Sequence, residues 1–156
     1  MGSSELDREL GDVERILLDT SVLIAFHSPH ERVHDLADHI MSRIENQTDR
    51  LRGYYSALSA SELLVRPIRT SVEHFTHMQA FLVGFPNLTI LPVDLVVAGQ
   101  AATLRAITRL HLADALVIAT GLVAGCQAIV TNDERWMRQV APLFNQFQWI
   151  YLDRFL

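Results

Sequence analysis

Short apolar runs alternate along the chain with longer stretches in which apolar residues recur at helical spacing. Apolar runs of only a few residues are typical of parallel strands that are covered on both faces. The pattern predicts strands at residues 15–18, 54–58, 88–91, 128–130 and 149–152. Because helical stretches separate these strands, we predict an α/β fold with a mostly parallel sheet.

The helical stretches are predicted at residues 31–50, 59–66, 71–83, 95–108, 114–124 and 135–140. Asp94 is a good N-cap for the fourth of them, Pro67 is expected to end the second, and Gly125 suits the position after the fifth. Residues 1–14 are polar and acidic. We predict that they form a loose or weakly helical lead-in, which disorder would also fit. A single domain is predicted at residues 15–156.

Composition and charge exclude several classes of protein. The chain has 156 residues and a formal net charge of −5, from 13 basic and 18 acidic residues. This balance argues against a protein that coats nucleic acid through a strongly basic surface, although an enzyme can still gather its acids in one pocket. Cys126 is the only cysteine, which excludes an internal disulfide and a cysteine-based zinc site and fits a reducing cytoplasm. No stretch is predicted to be a signal peptide or to span a membrane.

Four acidic residues stand in apolar surroundings, unlike the other acids of the chain: Asp19, Glu62, Asp114 and Asp133. Ionised carboxylates are costly to bury unless an opposite charge pairs with them. Few basic residues lie beside these four in the sequence, so a metal ion is the obvious counter-charge. Since every donor would be an oxygen atom, the set favours Mg²⁺ or Mn²⁺ over zinc.

The positions of these acids point to one edge of the predicted sheet. Asp19 follows the first strand, Asp133 follows the fourth, and Glu62 lies one turn into the helix after the second. Ligands bind to open parallel sheets at the carboxyl ends of the strands, so these three are expected to meet there. Asp114 joins them only if its helix begins at the same edge. Each acid also has an ordinary explanation, because Asp19 and Asp114 suit helix N-caps and Asp133 suits a turn. Glu62 could simply bond to a neighbouring helix.

Four segments around these acids form an ordered set of motifs, with LDTSVL at 18–23, SASEL at 59–63, DALVIAT at 114–120 and VTND at 130–133. Together they resemble the successive motifs of PIN-domain ribonucleases, most closely the VapC-like toxins of bacterial and archaeal toxin–antitoxin pairs. The resemblance covers about residues 15–152 and implies a three-layer α/β/α fold with a five-stranded parallel sheet. It also implies endonucleolytic cleavage of RNA with Mg²⁺ or Mn²⁺, a cognate antitoxin, a homodimer and a cytoplasmic site of action.

The resemblance assigns roles to particular side chains. The four acids named above would bind the metal and carry catalysis. Ser21 matches the hydroxyl residue that steadies the first aspartate, and Asn132 stands where the family often has a polar supporting group. Flanking basic residues could contact RNA phosphates, although a solvated surface is the simpler explanation for any one of them. These residues are Arg66, Arg105, Arg109 and Arg135.

A second motif points to a different class of enzyme. His30, Glu31 and His34 match the HEXXH pattern of zinc metalloproteases. Pro29 places His30 in the first turn of the predicted helix rather than in its middle, so we prefer a surface helix to a zinc site. The wider alternatives are a non-catalytic PIN-type domain that binds RNA or a protein partner, and a PIN nuclease outside any toxin–antitoxin system.

Overall fold

The apolar runs form one sheet of five parallel strands, which confirms the predicted α/β fold with a five-stranded parallel sheet. The computed structural model describes residues 2–156. Its strands are β1 (Arg15–Leu18), β2 (Arg52–Ser56), β3 (Leu88–Leu91), β4 (Ala128–Thr131) and β5 (Gln148–Tyr151). β1 and β3 have the predicted bounds, whereas β2 begins two residues earlier than predicted.

Helices connect the strands and cover both faces of the sheet. They are α1 (Gly2–Leu10), α2 (Thr20–His27), α3 (His34–Glu45), α4 (Ala57–Thr70), α5 (Val72–Gly84), α6 (Leu95–Ile107), α7 (Leu112–Val123) and α8 (Glu134–Gln139), with a final 3-10 turn, η1 (Leu152–Phe155). Within residues 2–156, no helix combines the length and the apolar character that a membrane crossing needs.

The side chains of β1 alternate between two hydrophobic cores, as the period of a strand requires. Leu17 packs with Leu104 of α6 and Ile118 of α7. Ile16 and Leu18 face the opposite core, which holds the buried apolar residues of α1, α2 and α3. The protein is therefore a three-layer α/β/α structure with the sheet in its middle.

The strand order β3-β2-β1-β4-β5 places β1 at the centre of the sheet. The chain runs from β1 outward to β2 and β3, and then crosses back to form β4 on the other side of β1. Such a reversal opens a crevice outside the carboxyl ends of the two central strands, which is where parallel α/β sheets bind their ligands. In this chain the crevice lies at the ends of β1 and β4.

Most of the lead-in that we predict to be loose or weakly helical is a helix that packs on the domain. Residues Gly2–Leu10 form α1, and both Leu6 and Leu10 are fully buried. Asp7 adds polar contacts, because its Oδ1 lies 2.8 Å from His39 Nε2 and 3.0 Å from Arg43 Nη1 on α3. The helix is stabilised by tertiary packing, which a short polar segment does not reveal by its composition.

Two helix boundaries also differ from the prediction. α4 does not end before Pro67 but continues through it to Thr70. A proline removes one helical hydrogen bond, yet the Ser71 N–H still donates to Pro67 O at 3.1 Å and closes the last turn. The segment of α2 has no helical period, because it is apolar almost throughout, and no helix was predicted there.

The HEXXH pattern does not lie on one helix. His30 and Glu31 lie in the turn that precedes α3, and His34 is the first residue of that helix. His34 Nδ1 bonds to Ala25 O at 2.8 Å, so that ring nitrogen carries a proton. A zinc protease needs both histidines on one helical face, so the structure contradicts this alternative.

Candidate active site

The carboxyl ends of β1 and β4 bring two of the predicted acids to the same crevice. Asp19 directly follows β1, and Asp133 comes two residues after the end of β4. The Asp19 N–H donates to Val130 O at 3.0 Å, so the pairing of the two strands continues as far as the first acid. Asp19 is the N-cap of α2 and Asp133 is the N-cap of α8. The ordinary explanation of Asp19 as a helix cap is therefore correct, and it leaves Oδ2 of that carboxylate free of the cap.

Asp19 is a buried carboxylate surrounded by hydrogen-bond donors, and only 6% of it is exposed. Its Oδ1 accepts from the Thr20 N–H at 2.7 Å. Its Oδ2 accepts from Ser21 Oγ at 2.7 Å and from Thr131 Oγ1 at 2.9 Å. Burial raises the pKa of Asp19 to about 6, although these hydrogen bonds oppose the shift. The carboxylate is thus fixed in place but poorly solvated, a state that a cation would relieve.

The loop after β4 donates hydrogen bonds to the two hydroxyl groups that contact Asp19. Ser21 Oγ accepts from the Asn132 N–H at 3.0 Å, and Thr131 Oγ1 accepts from the Asp133 N–H at 3.0 Å. Each hydroxyl therefore accepts from the loop and donates its own proton to Asp19. The orientation of Asp19 is set by the loop that also carries Asp133.

Sequence reasoning missed the role of Thr131. It lies inside the VTND segment, at the last position of a fully buried strand. A hydroxyl residue that ends such a strand faces the ligand edge of the sheet, and this was the available signal. What the sequence does not show is that Thr131 reaches across to Asp19, because that contact depends on the register of β1 against β4.

Arg135 joins Asp133 to Asp114. Its Nη2 lies 2.6 Å from Asp133 Oδ2, its Nε lies 3.2 Å from Asp133 Oδ1, and Nη2 also lies 3.9 Å from Asp114 Oδ2. Burial would raise the pKa of Asp133, but the hydrogen bonds from Arg135 take it below its ordinary value. For Asp114 burial outweighs the attraction of the arginine, and the pKa is raised. The two acids therefore share one positive charge.

Asp114 lies in the first turn of α7 and not at its N-cap, which is His111. The explanation of Asp114 as a helix cap is therefore wrong, and so is the prediction that the helix begins there. The first turn of α7 nevertheless lies at the crevice, because Asp114 and Asp133 approach the same guanidinium. This meets the condition set above for Asp114 to join the other acids.

A buried indole N–H lies beside Asp114. Trp136 is 1% exposed, and its Nε1 has no hydrogen-bond partner within residues 2–156. The N–H lies near enough to Asp114 to lower the pKa of that carboxyl, yet it does not reach hydrogen-bond geometry. Buried polar atoms of folded proteins normally have partners, and the Asp114 carboxylate is the acceptor on which this N–H acts.

Glu62 approaches the same edge through Thr20. Thr20 Oγ1 lies 2.5 Å from Glu62 Oε2 and 2.9 Å from Ser59 Oγ. Thr20 directly follows Asp19, so α4 presents Glu62 next to the first acid. Unlike Asp19, Glu62 is exposed. Its carboxylate is therefore free to meet solvent and to bind a ligand from the open side of the crevice.

The donor set fits a hard divalent cation in its chemistry. The acids offer only carboxylate oxygens, which Mg²⁺ and Mn²⁺ prefer. As the structure stands, no three His, Cys, Asp or Glu side chains of residues 2–156 lie close enough to hold one ion. The Arg135 guanidinium lies beside Asp133 and Asp114 instead. The residues therefore fit a divalent cation in the type of their donor atoms.

The remaining predicted residues have other partners or are exposed. Asn132 supports Ser21 through its backbone, but its side-chain Oδ1 accepts from the Asp153 N–H at 3.1 Å and ties β4 to η1. Arg66, Arg105 and Arg109 are exposed. Arg135 is the predicted phosphate ligand that the structure instead pairs with acids.

The sheet order, the helices on both faces and the acidic crevice between β1 and β4 define a three-layer α/β protein with its site at the central switch point. The chain belongs to the PIN domain family, whose sequence profile matches residues 16–142. This confirms the resemblance seen in the motifs. A comparison with curated protein sequences found no match.

Solved structures with the same fold include bacterial toxin structures. VapBC2 from Rickettsia felis, bound to a DNA fragment from its promoter, is 12% identical with a TM-score of 0.62, over 88% of this chain and 98% of that chain. VapC20 of Mycobacterium tuberculosis, a sarcin-ricin loop cleaving toxin, is 16% identical with a TM-score of 0.63, over 85% and 98%. A toxin–antitoxin complex from Klebsiella pneumoniae is 17% identical with a TM-score of 0.60, over 85% and 98%. At these identities the similarity shows a shared fold.

Proposed function

We propose that this protein is a metal-dependent endoribonuclease and the toxin of a toxin–antitoxin pair. Asp19 is the observation on which the proposal depends. It is a buried carboxylate that three donors hold at the ends of β1 and β4, in the same crevice as Asp133. Membership of the PIN domain family supports nuclease chemistry. The toxin structures among its structural neighbours support the toxin role.

Each of the four acids has its own role in the proposed hydrolysis. Asp19, Asp114 and Asp133 would hold Mg²⁺ or Mn²⁺, and Glu62 would hold a second ion or orient the attacking water. When bound, such an ion lowers the pKa of its water and offsets the negative charge of the phosphate. Ser21 and Thr131 keep the Asp19 carboxylate in one orientation, so it is ready for a ligand before the ligand arrives. Glu62 is exposed and can accept a proton from a water on the open side of the crevice.

Partners follow from the same proposal. The substrate would be RNA, with its phosphates contacted by Arg66, Arg105 and Arg109, all of which are exposed. A cognate antitoxin and a second copy of the chain would cover exposed apolar side chains such as Val72, at 82% exposure, and Leu95, at 87%. The single cysteine fits a cytoplasmic site of action.

A non-catalytic PIN-type binding domain is the alternative that one observation favours. Among residues 2–156 no three potential ligands are close enough to hold an ion as the structure stands. A protein that never recruits a metal would bind RNA or a partner without cutting. A PIN nuclease outside any toxin system would cut RNA equally well, and the presence of a small antitoxin gene beside this one would separate it from a toxin.

Cleavage of RNA in the presence of Mn²⁺ tests the proposal. Asp19→Asn and Asp114→Asn are expected to lower the cleavage rate by about a hundredfold or more, because each removes a metal-binding charge. Asp38→Asn, at an exposed position on α3, is the matched control and should cut as wild type does. Unchanged cleavage by both site variants would refute the assignment. RNA binding without cleavage by the wild type would favour the binding domain.

Metal binding can also be detected without RNA. A ligand that binds only the folded state stabilises it by about 2.7 kcal/mol at a hundred times its dissociation constant. Mn²⁺ should therefore raise the melting temperature of the wild type and of Asp38→Asn, and raise that of Asp114→Asn less. The same melting temperature with Mn²⁺ and with EDTA in the wild type would count against the site.

A further inference from the structure

The Arg135 side chain lies where the proposed cation would bind. Its Nη2 is 2.6 Å from Asp133 Oδ2 and 3.9 Å from Asp114 Oδ2, and its Nε is 3.2 Å from Asp133 Oδ1. These are carboxylate oxygens that the proposed function assigns to the metal. A guanidinium has no lone pair to offer a metal ion, so it can only compete with the ion for these oxygens.

The cap of α8 does not depend on the Arg135 side chain. The Arg135 N–H separately donates to Asp133 Oδ1 at 2.8 Å and caps α8. The guanidinium is 54% exposed and emerges from a short helix, so it can leave the acids without unfolding any element. A charge pair of this kind is weak and screened by salt, whereas a divalent cation brings twice the charge.

We propose that Arg135 is a built-in competitor of the metal: its guanidinium neutralises Asp133 and Asp114 in the metal-free protein and is displaced when a divalent cation binds. This inference rests on the proposed function, because it concerns the same acids. It accounts for the approach of both Asp114 and Asp133 to one guanidinium. The consequence is that the wild-type site binds metal more weakly than its acids alone would.

Isothermal titration of the metal-free protein with Mn²⁺ tests this directly. Arg135→Gln keeps a long polar side chain and the backbone cap but removes the positive charge. It should bind Mn²⁺ about fivefold more tightly than wild type, the factor expected when an exposed charge pair no longer has to break. The advantage should shrink at high ionic strength, because salt weakens the pair in the wild type.

Arg138→Gln is the matched control. Arg138 lies on the same helix and loses the same charge, but its Nη2 pairs with Glu134 at 3.5 Å. It should bind Mn²⁺ nearly as the wild type does, so any larger effect of Arg135→Gln belongs to the contact with the acids rather than to net charge. Equal or weaker binding by Arg135→Gln than by Arg138→Gln would overturn the inference while leaving the metal site intact. If no variant and no wild-type protein binds Mn²⁺, both the metal site and the inference are wrong.

Nuclear magnetic resonance of the arginine side chains gives a second readout that needs no activity. The Arg135 Nε–H signal, identified by its loss in Arg135→Gln, should be shifted and protected in the metal-free protein because it donates to Asp133. Addition of diamagnetic Mg²⁺ should move it toward the position of an exposed arginine. A signal that is unchanged at a Mg²⁺ concentration that saturates the titrated site would contradict displacement.

Discussion

Thr131 Oγ1, at the end of β4, lies 2.9 Å from Asp19 Oδ2, just beyond the end of β1. The same hydroxyl accepts from the Asp133 N–H at 3.0 Å. Thr131 is fully buried, so neither contact competes with solvent. One side chain thus sets the position of the first acid relative to the last, and it does so through the pairing of the two central strands.

Thr131→Val should damage the site more than the fold. Valine keeps the shape of the side chain but leaves Asp19 with one donor fewer and the Asp133 N–H without an acceptor. Since hydrogen bonds to the ionised carboxylate lower its pKa, the pKa of Asp19 should rise further, and the pH profile of cleavage should move to higher pH. The free energy of unfolding should fall by about 1–3 kcal/mol. Thr103→Val, which removes an exposed hydroxyl on α6 that bonds only to Gly99 O, is the control. An unmoved pH profile would contradict this role for Thr131.

The stability of the metal-free protein should depend on pH through Asp19. Burial raises its pKa from the model-compound value of 3.8 to about 6, so the folded state prefers the protonated carboxyl. Below both values Asp19 is neutral in either state and does not destabilise the fold. As the pH rises from about 4 to above 6, the folded state must give up this proton, and stability falls by about 3 kcal/mol in all.

Asp19→Asn isolates this effect because asparagine does not ionise. The difference in unfolding free energy between Asp19→Asn and wild type should grow in favour of the variant by up to about 3 kcal/mol between pH 4 and pH 8. Urea unfolding in EDTA measures it, and the comparison across pH cancels any constant effect of the altered hydrogen bonds. A difference that stays constant over this range would mean that Asp19 is not destabilised by its burial.

The strands and the edge of the site could be predicted because they depend on local pattern. β1 and β3 have the predicted bounds since buried parallel strands are short runs that are apolar throughout. Asp19 and Asp133 could be placed at the ligand edge because each comes within two residues of the end of such a run. The helix α1 could not be predicted in this way, because its stability comes from Leu6 and Leu10, which pack against distant parts of the chain.

The contacts inside the site could not be predicted from the sequence. Whether Arg135 faces RNA or Asp133 depends on its rotamer and on the position of α7, and neither leaves a mark in the pattern of residues. The partner of Thr131 depends on the register of two strands more than a hundred residues apart in the chain. Sequence therefore predicts that acids lie at this edge of the sheet, and three-dimensional structure is needed to say which side chains pair with them.

The packing of α1 predicts that a leucine substitution and a glutamate substitution on this helix differ in their effect on stability. Leu10→Ala should lower the free energy of unfolding by about 2–5 kcal/mol, since Leu10 is fully buried and its loss leaves a cavity. Glu5→Ala, on the exposed side of α1, should change it by less than about 0.5 kcal/mol. Urea denaturation followed by circular dichroism gives both values. Equal stabilities would mean that α1 does not dock on the domain.

Glycine-to-alanine substitutions on α6 and α7 should have opposite signs. An alanine Cβ at Gly121 would lie 2.8 Å from Leu17 Cδ2 and 3.1 Å from Leu17 Cβ, so the whole buried leucine of β1 would have to move. Overpacking of this kind costs about 1–3 kcal/mol, which exceeds the gain in helix propensity of about 1 kcal/mol. At Gly99, on the exposed face of α6, no atom lies within 4 Å of the added Cβ, so only the gain remains. Gly99→Ala should therefore raise the midpoint of urea unfolding and Gly121→Ala should lower it. If both substitutions stabilise the protein, α7 does not approach the central strand as closely as the structure has it.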